Sequence, residues 1–315
     1  MKSGELFNTT EFVFDSLTDD PMLQYIFLLI FIIIYFIVIF GNCAIFVVIC
    51  LDSNLHTPMY IFLLNLSVID IASTSNILPK LLIMVFIQCN TISFGECITQ
   101  LYFFIFFVCT EVFVLAAMAY DRYIAICHPL HYIIIMSLKL TFGLSATAWA
   151  AGLLTPVGHV NLISKMYFCA SHVISHFYCD ISPLLKISCS DIYHVEMLTY
   201  AVGTLVGIFT LILTLLSYIF IILNILSIKS TEGRSKTFST CSSHLTCVIM
   251  FYGTIMCLHM RPTSTYSSKF DKCFALVYTV LVPLLNPFIY SFKNEEVKKA
   301  LRKLKIKIPK IIFKL

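Results

Sequence analysis

The sequence predicts an all-α membrane protein, a seven-transmembrane helix bundle with a short amphipathic C-terminal helix. Three observations carry this. Of the 315 residues, 59% are hydrophobic and 12% are charged, against about 25% charged in an ordinary soluble domain. So apolar a chain cannot wrap itself in water, and its solvent is lipid. The apolar residues fall in long uniform runs, which excludes a barrel of short alternating strands. Lysines and arginines collect on one side of those runs.

Taken in order, residues 1–22 are acidic and polar and read as an extracellular tail of "MKSGELFNTTEFVFDSLTDDP" character. A basic start, a short apolar core and a cleavage site are missing from this stretch. The expectation is therefore no secretory signal peptide, with the first apolar run acting as an uncleaved anchor. Asn8-Thr9-Thr10 is a glycosylation sequon. Asn65-Leu66-Ser67 matches the same pattern inside an apolar run, where no glycosyltransferase reaches. Runs long enough to cross a bilayer cover about 23–50, 58–87, 97–120, 140–161, 196–227, 237–260 and 271–292. No internal repeat or Gly/Ser hinge divides them, so 1–315 reads as one integral domain with its bundle at 23–292.

An odd number of spans puts the termini on opposite sides. Arg122, Lys139, Lys229, Arg234 and Lys236 lie on one side, joined by the lysine-rich tail 293–315. The positive-inside rule then predicts a multi-pass plasma-membrane protein, N-terminus outside and C-terminus in the cytoplasm. In the tail, Val297, Leu301, Leu304 and Ile308 recur at helical spacing among cations, the pattern of a helix lying on membrane lipids. The net charge of +4 gives no case for nucleic acid.

Ionisable side chains inside a span are costly and mark candidate sites. The second run holds Asp70, the third Glu111, the first Asn42 and the seventh Asn286. Two carboxylates and an amide facing the bundle interior could share a sodium ion; no other cofactor is expected. Along the third run, Cys97, Leu101, Phe104, Val108, Glu111, Leu115, Met118 and Arg122 follow steps of three and four and so form one helical stripe. Asp121 can hold Arg122 where this helix leaves the membrane, and Pro129 stops it. Pro283 and Pro287 free carbonyls in the last run beside Asn286 and Tyr290, a candidate hinge.

Of thirteen cysteines, Cys97, Cys169, Cys179 and Cys189 fall where the exterior is expected. An oxidising exterior favours two bridges, and four cysteines leave three pairings open. His172, His176 and Cys179 have a spacing that a metal could use, although Cys179 suits a disulfide better. Neither G-x-S-x-G nor H-E-x-x-H occurs, which argues against an enzyme. Seven spans without repeats also argue against a transporter.

The stretches "LHTPMYIFLLNLSVID" (55–70), "MAYDRYIAICHPLHY" (118–132), "SY" (217–218), "KTFSTCSSHL" (236–245) and "PLLNPFIYSF" (283–292), with "GN" at 41–42 and Trp149, resemble the vertebrate olfactory receptors, within the rhodopsin-like G-protein-coupled receptors. They span nearly the whole chain; "KTFSTC" departs slightly, since the family more often has Ala after Lys. The resemblance implies bridges Cys97–Cys179 and Cys169–Cys189. It implies a sodium-type cavity at Asp70, Glu111 and Asn286. A G-protein switch is implied at Asp121, Arg122, Tyr123, Tyr218, Lys236 and Tyr290. The implied odorant pocket comprises Phe104, Ile105, Val108, Cys109, Val202, Val206, Tyr252, Ile255, Met256, His259 and Thr279. This lining lacks the carboxylate that an amine ligand needs, and His259 could hydrogen-bond a carbonyl or hydroxyl. The implied partners are a small apolar odorant and a stimulatory heterotrimeric G protein that raises cyclic AMP. A chemosensory receptor of another tissue is the alternative.

Overall fold

A computed structural model describes residues 11–303 apart from 17, 19, 170, 260–267 and 294–295; the side chains at 235–240, 243, 259, 268 and 290–293 also lie outside it. Asn8, Leu304 and Ile308 fall outside the described residues, as do the side chains of Lys236, His259 and Tyr290.

Among the described residues, seven long helices build the molecule. Pro21 occupies the first position of α1 (Pro21–Leu51), and the Asp20 carboxylate caps it by accepting the Met22 N–H at 2.8 Å. Pro58 likewise opens α2 (Pro58–Ile87), whose Thr57 N-cap makes no side-chain capping bond. A capping box starts α3 (Phe94–Cys127): the Ser93 hydroxyl accepts from Glu96 N–H, and the Glu96 carboxylate accepts from Ser93 N–H. Ser137 caps α4 (Leu138–Ile163). The fifth rod, α5 (Tyr193–Ser227), is interrupted by a π-helical stretch, Gly203–Ile208. The sixth is α6 (Thr231–His259). The last, α7 (268–293), carries a second π stretch, Val277–Leu281. A further helical segment, α8 (296–303), follows.

Six of these helices are long and apolar enough to cross a membrane. The apolar part of α6 is shorter, His244–Leu258, because its first half carries the polar "TEGRSKTFSTCSS". The helix thus begins before the expected span at 237–260 and extends beyond its apolar part. α3 is the central rod. Every predicted stripe residue from Cys97 to Met118 is buried. It also runs further than expected. The helix ends at Cys127, so Asp121 and Arg122 lie within it, and Pro129 follows directly. By contrast α1 buries one stripe and presents Leu29, Ile33, Phe36 and Phe40 outward, as a lipid-facing helix must.

Close approach between α1 and α7 depends on Gly41. A Cβ there would lie 3.1 Å from the Pro287 Cβ, so the glycine makes room for the proline of α7. Next to it, the Asn42 amide donates to the carbonyls of Val38 (3.1 Å) and Pro283 (3.4 Å). Asn65 is likewise committed inside the bundle. It accepts the Trp149 indole N–H at 2.8 Å and donates to Ser145 and Ile61.

One end of the bundle carries a cap that the sequence reading missed. Residues Glu11–Phe14 form β1, the middle strand of a three-stranded sheet between β2 (Thr91–Ser93, antiparallel) and β3 (Val173–Ile174, parallel). The reason is the alternation in "EFVF": Phe12 and Phe14 point inward and are buried. The Phe12 ring meets Phe168 edge-on at 5.3 Å and Phe94 at 6.1 Å. Asp15 then reaches Lys272 of α7 at 2.8 Å. Residues 11–15 are therefore woven into the loops and tied to α7.

Candidate ligand pocket and switch

The disulfides join the cap to the bundle. Cys97 at the start of α3 bonds Cys179, and Cys169 bonds Cys189. With Cys179 in a disulfide, the His172, His176, Cys179 spacing has no thiolate to offer a metal. Among the described residues no group of three or more His, Cys, Asp or Glu is placed to hold one. The Cys179 N–H donates to the Gln100 side chain at 2.9 Å, and Gln100 exchanges two 3.0 Å bonds with Asn76 of α2. Cys89 is a fifth cysteine at this end; it lies just before β2 and stays a free, exposed thiol.

Below the cap, Phe104, Ile105, Val108 and Cys109 of α3 are buried, together with Tyr252 of α6 and Thr279 of α7. Val202, Val206, Ile255 and Met256 are half-buried. The Phe104 ring touches Tyr178 of the capping loop at 5.0 Å and Tyr278 of α7 edge-on at 5.8 Å. Phe251 closes on Tyr278 at 5.7 Å. The Tyr252 hydroxyl donates to Thr210 of α5 at 3.0 Å. Val206 and Thr279 both sit in the π stretches, where the altered winding re-aims side chains and where functional positions are common. Tyr178, Tyr278, Phe251 and Thr210 were not singled out from the sequence. Tyr278 adjoins Thr279, and Thr210 lies four residues after Val206, so helical spacing was the signal available.

The three buried polar groups divide into two pairings. Asn286 donates its amide to both Asp70 oxygens, at 3.0 and 3.1 Å, joining α2 to α7. Glu111 accepts the Tyr278 hydroxyl at 3.3 Å, joining α3 to α7. Asp70 and Glu111 are near enough to repel one another when both are charged. The set supplies hard oxygen donors, the type a sodium ion takes.

At the opposite end, Arg122 pairs with Asp121 through its Nε at 2.9 Å and through a second nitrogen. The other Asp121 oxygen accepts the Tyr132 hydroxyl at 2.7 Å. Tyr132 opens a short helical turn, Tyr132–Ile135, in the loop between α3 and α4. Burial, and then the charge of Asp121, push its phenol above the ordinary value. It therefore remains a proton donor across the neutral range. Tyr123 meets His128 at 3.1 Å. Tyr218 of α5 bonds His244 of α6 at 2.6 Å and the Cys241 carbonyl at 3.4 Å, latching the two helices. His128, Tyr132 and His244 are the side chains of this cluster that the sequence reading left out. At the same end, Lys303 of α8 reaches Asp52 of the first loop at 3.5 Å, while Val297 and Ala300 are buried.

Comparison with known proteins gives a consistent result. A family model described as olfactory receptor matches residues 31–307. Olfactory receptor 5AR1 of Mus musculus is 47% identical over 295 residues, covering 94% of this chain and 95% of the relative. Olfactory receptor 8A1 of Homo sapiens is 46% identical over 303 residues, covering 96% and 93%. Among solved structures, the crystal structure of squid rhodopsin superposes with a TM-score of 0.72 at 15% identity, covering 92% of this chain and 82% of that one. The last likeness concerns the fold alone.

Proposed function

The chain belongs to the olfactory receptor family, a multi-pass membrane receptor and not an enzyme, and on that premise we propose that it binds a small, mostly apolar odorant and activates a stimulatory heterotrimeric G protein, raising cyclic AMP. The odorant sits between α3, α5, α6 and α7, against Phe104, Val206, Tyr252 and Thr279. The cap end faces the exterior of the plasma membrane and Arg122 faces the cytoplasm, as the cation distribution argues. Asn8 carries the glycan.

The observation that carries this reading is the buried stripe of α3. It runs from Phe104, packed against Tyr178 and Tyr278, past Glu111 to the Asp121–Arg122 pair. A ligand shifts such a bundle only if it binds one packing better than the other. An odorant wedged beside Phe104 and Tyr252 favours a tilt of α6 away from α3. That tilt strains the Tyr218–His244 latch and frees Arg122 to receive a helix of the G protein, alongside Tyr123, Lys236 and Tyr290. A sodium ion held by Asp70, Glu111 and Asn286 stabilises the resting packing as an allosteric modulator. The test is an odorant panel on cells that display the receptor, read by cyclic AMP. A dose-dependent rise supports the reading; silence across the panel from receptor verified at the surface, with a control receptor responding, counts against it.

A further inference from the structure

A cavity lies away from the candidate ligand site just described. It has a volume of about 360 Å³ and sits where the segment after β1 crosses the ends of α1 and α2. Its walls come from three places: Ser16 and Thr18 of the crossing segment, Gln24 and Phe27 of α1, and Leu81, Met84, Val85 and Gln88 of α2. That size is within the range of small-molecule sites, and it equals roughly twelve water volumes at ~30 Å³ each. A molecule of roughly ten to fifteen heavy atoms fills it; a sterol is too large.

The chemistry of the walls has a direction. Polar Ser16, Thr18, Gln88 and Asn90 lie toward the loops, whereas Leu81, Val85 and Phe27 lie deeper along the helices. On the same stretches of α1 and α2, Ile26, Ile83 and Phe86 are exposed and apolar, the kind of surface that lipid covers. Among the described residues no Asp, Glu, Lys, Arg or His lines it, so none of them compensates a charged head group. At the same point α2 ends on Gln88 in the left-handed conformation, φ 57°. The last turn of a helix leaves carbonyls without intrahelical partners, and these accept hydrogen bonds. A hydroxyl head meets that demand.

We propose that this cavity between the ends of α1 and α2 is a second binding site, for a neutral medium-chain amphiphile with a hydroxyl head. The alcohol lays its chain along Leu81, Met84 and Phe27 and turns its hydroxyl to the carbonyls of the α2 C-terminus and the Gln88 amide. The site is independent of the odorant pocket and of G-protein coupling.

The test uses the full chain purified into lipid nanodiscs and a ten-carbon alcohol carrying a photoreactive diazirine. Labelled peptides are mapped after irradiation. Labels are expected to concentrate on residues 81–88 and 24–27, and excess decan-1-ol to compete. Decanoate and cholesterol are expected not to compete. Val85→Trp, which projects an indole into the cavity, is expected to cut labelling about tenfold. If that variant is poorly expressed, Leu81→Trp narrows the same space from the next turn of α2. Labelling spread evenly over lipid-facing residues such as Phe86 overturns the proposal. So does equal competition by decanoate or by cholesterol, or undiminished labelling in the filled variants.

Discussion

Tyr132→Phe removes one hydroxyl and leaves the ring in place. In the described packing that hydroxyl donates to Asp121 Oδ1 at 2.7 Å, while Arg122 holds Oδ2. A hydrogen bond to an ionised group is worth about 1.5–3 kcal/mol net. Tyr132 is half-buried, so the lower figure, about 1.5 kcal/mol, is appropriate. Without it, Asp121 is less well fixed and its hold on Arg122 weakens. The resting packing loses that stabilisation, while an active packing with Arg122 already withdrawn loses little. A shift of about 1.4 kcal/mol is tenfold in an equilibrium. A receptor with about 1% of its molecules active at rest would then hold roughly 10%. The assay is odorant-free cyclic AMP, normalised to surface receptor. The expected result is a rise of roughly tenfold, absent when Asp121→Asn is already present, because the two residues act through one bond. Basal signal unchanged within about twofold, or an equal rise in the Asp121→Asn background, refutes the reasoning.

Arg122→Ala is expected to abolish odorant-evoked cyclic AMP while surface expression stays measurable; a normal response removes the guanidinium from the switch. Glu111→Gln keeps the shape of the side chain beside Tyr278 but deletes a charge, and should change how basal signalling depends on sodium. No change in that dependence assigns Glu111 to structure alone. Phe104→Ala loses the ring that packs between Tyr178 and Tyr278, and should raise the half-maximal odorant concentration about tenfold; an unchanged dose–response curve takes Phe104 out of the pocket. Replacing Cys169 and Cys189 by serine opens a loop with a sequence separation of 20. Loop closure of that size is worth about 3 kcal/mol, so the purified receptor should melt roughly 5 °C or more lower. An unchanged melting temperature shows that the remaining cap contacts hold the loop unaided.

The residues announce the bundle because lipid makes one demand of every span: a long apolar run with all backbone groups bonded internally. α1, α2, α4 and α5 follow their expected limits within about three residues, ordinary fraying at helix ends. The stripe of α3 is legible for the same reason, since helical spacing fixes which side chains share a face. Motif likeness added the bridges Cys97–Cys179 and Cys169–Cys189, which spacing alone left among three pairings.

Contacts between distant segments could not be read in this way. The "EFVF" strand is four residues long, and its partners lie some 80 and 160 positions away at Thr91–Ser93 and Val173–Ile174. Only the packed ends of the helices bring those partners together. The same holds for Tyr132 on Asp121 and His244 on Tyr218, each an ordinary aromatic or imidazole until a neighbouring helix or loop sets a hydroxyl within bonding distance. The π stretches in α5 and α7 have no local signature, because the winding changes in response to packing. The sequence by itself settled how many rods there are, that they are long and apolar enough for a membrane, and which face of α3 is buried. Tertiary structure alone decided which polar group answers which, since a hydrogen bond depends on ångströms between segments and the pattern along one segment carries no such distance.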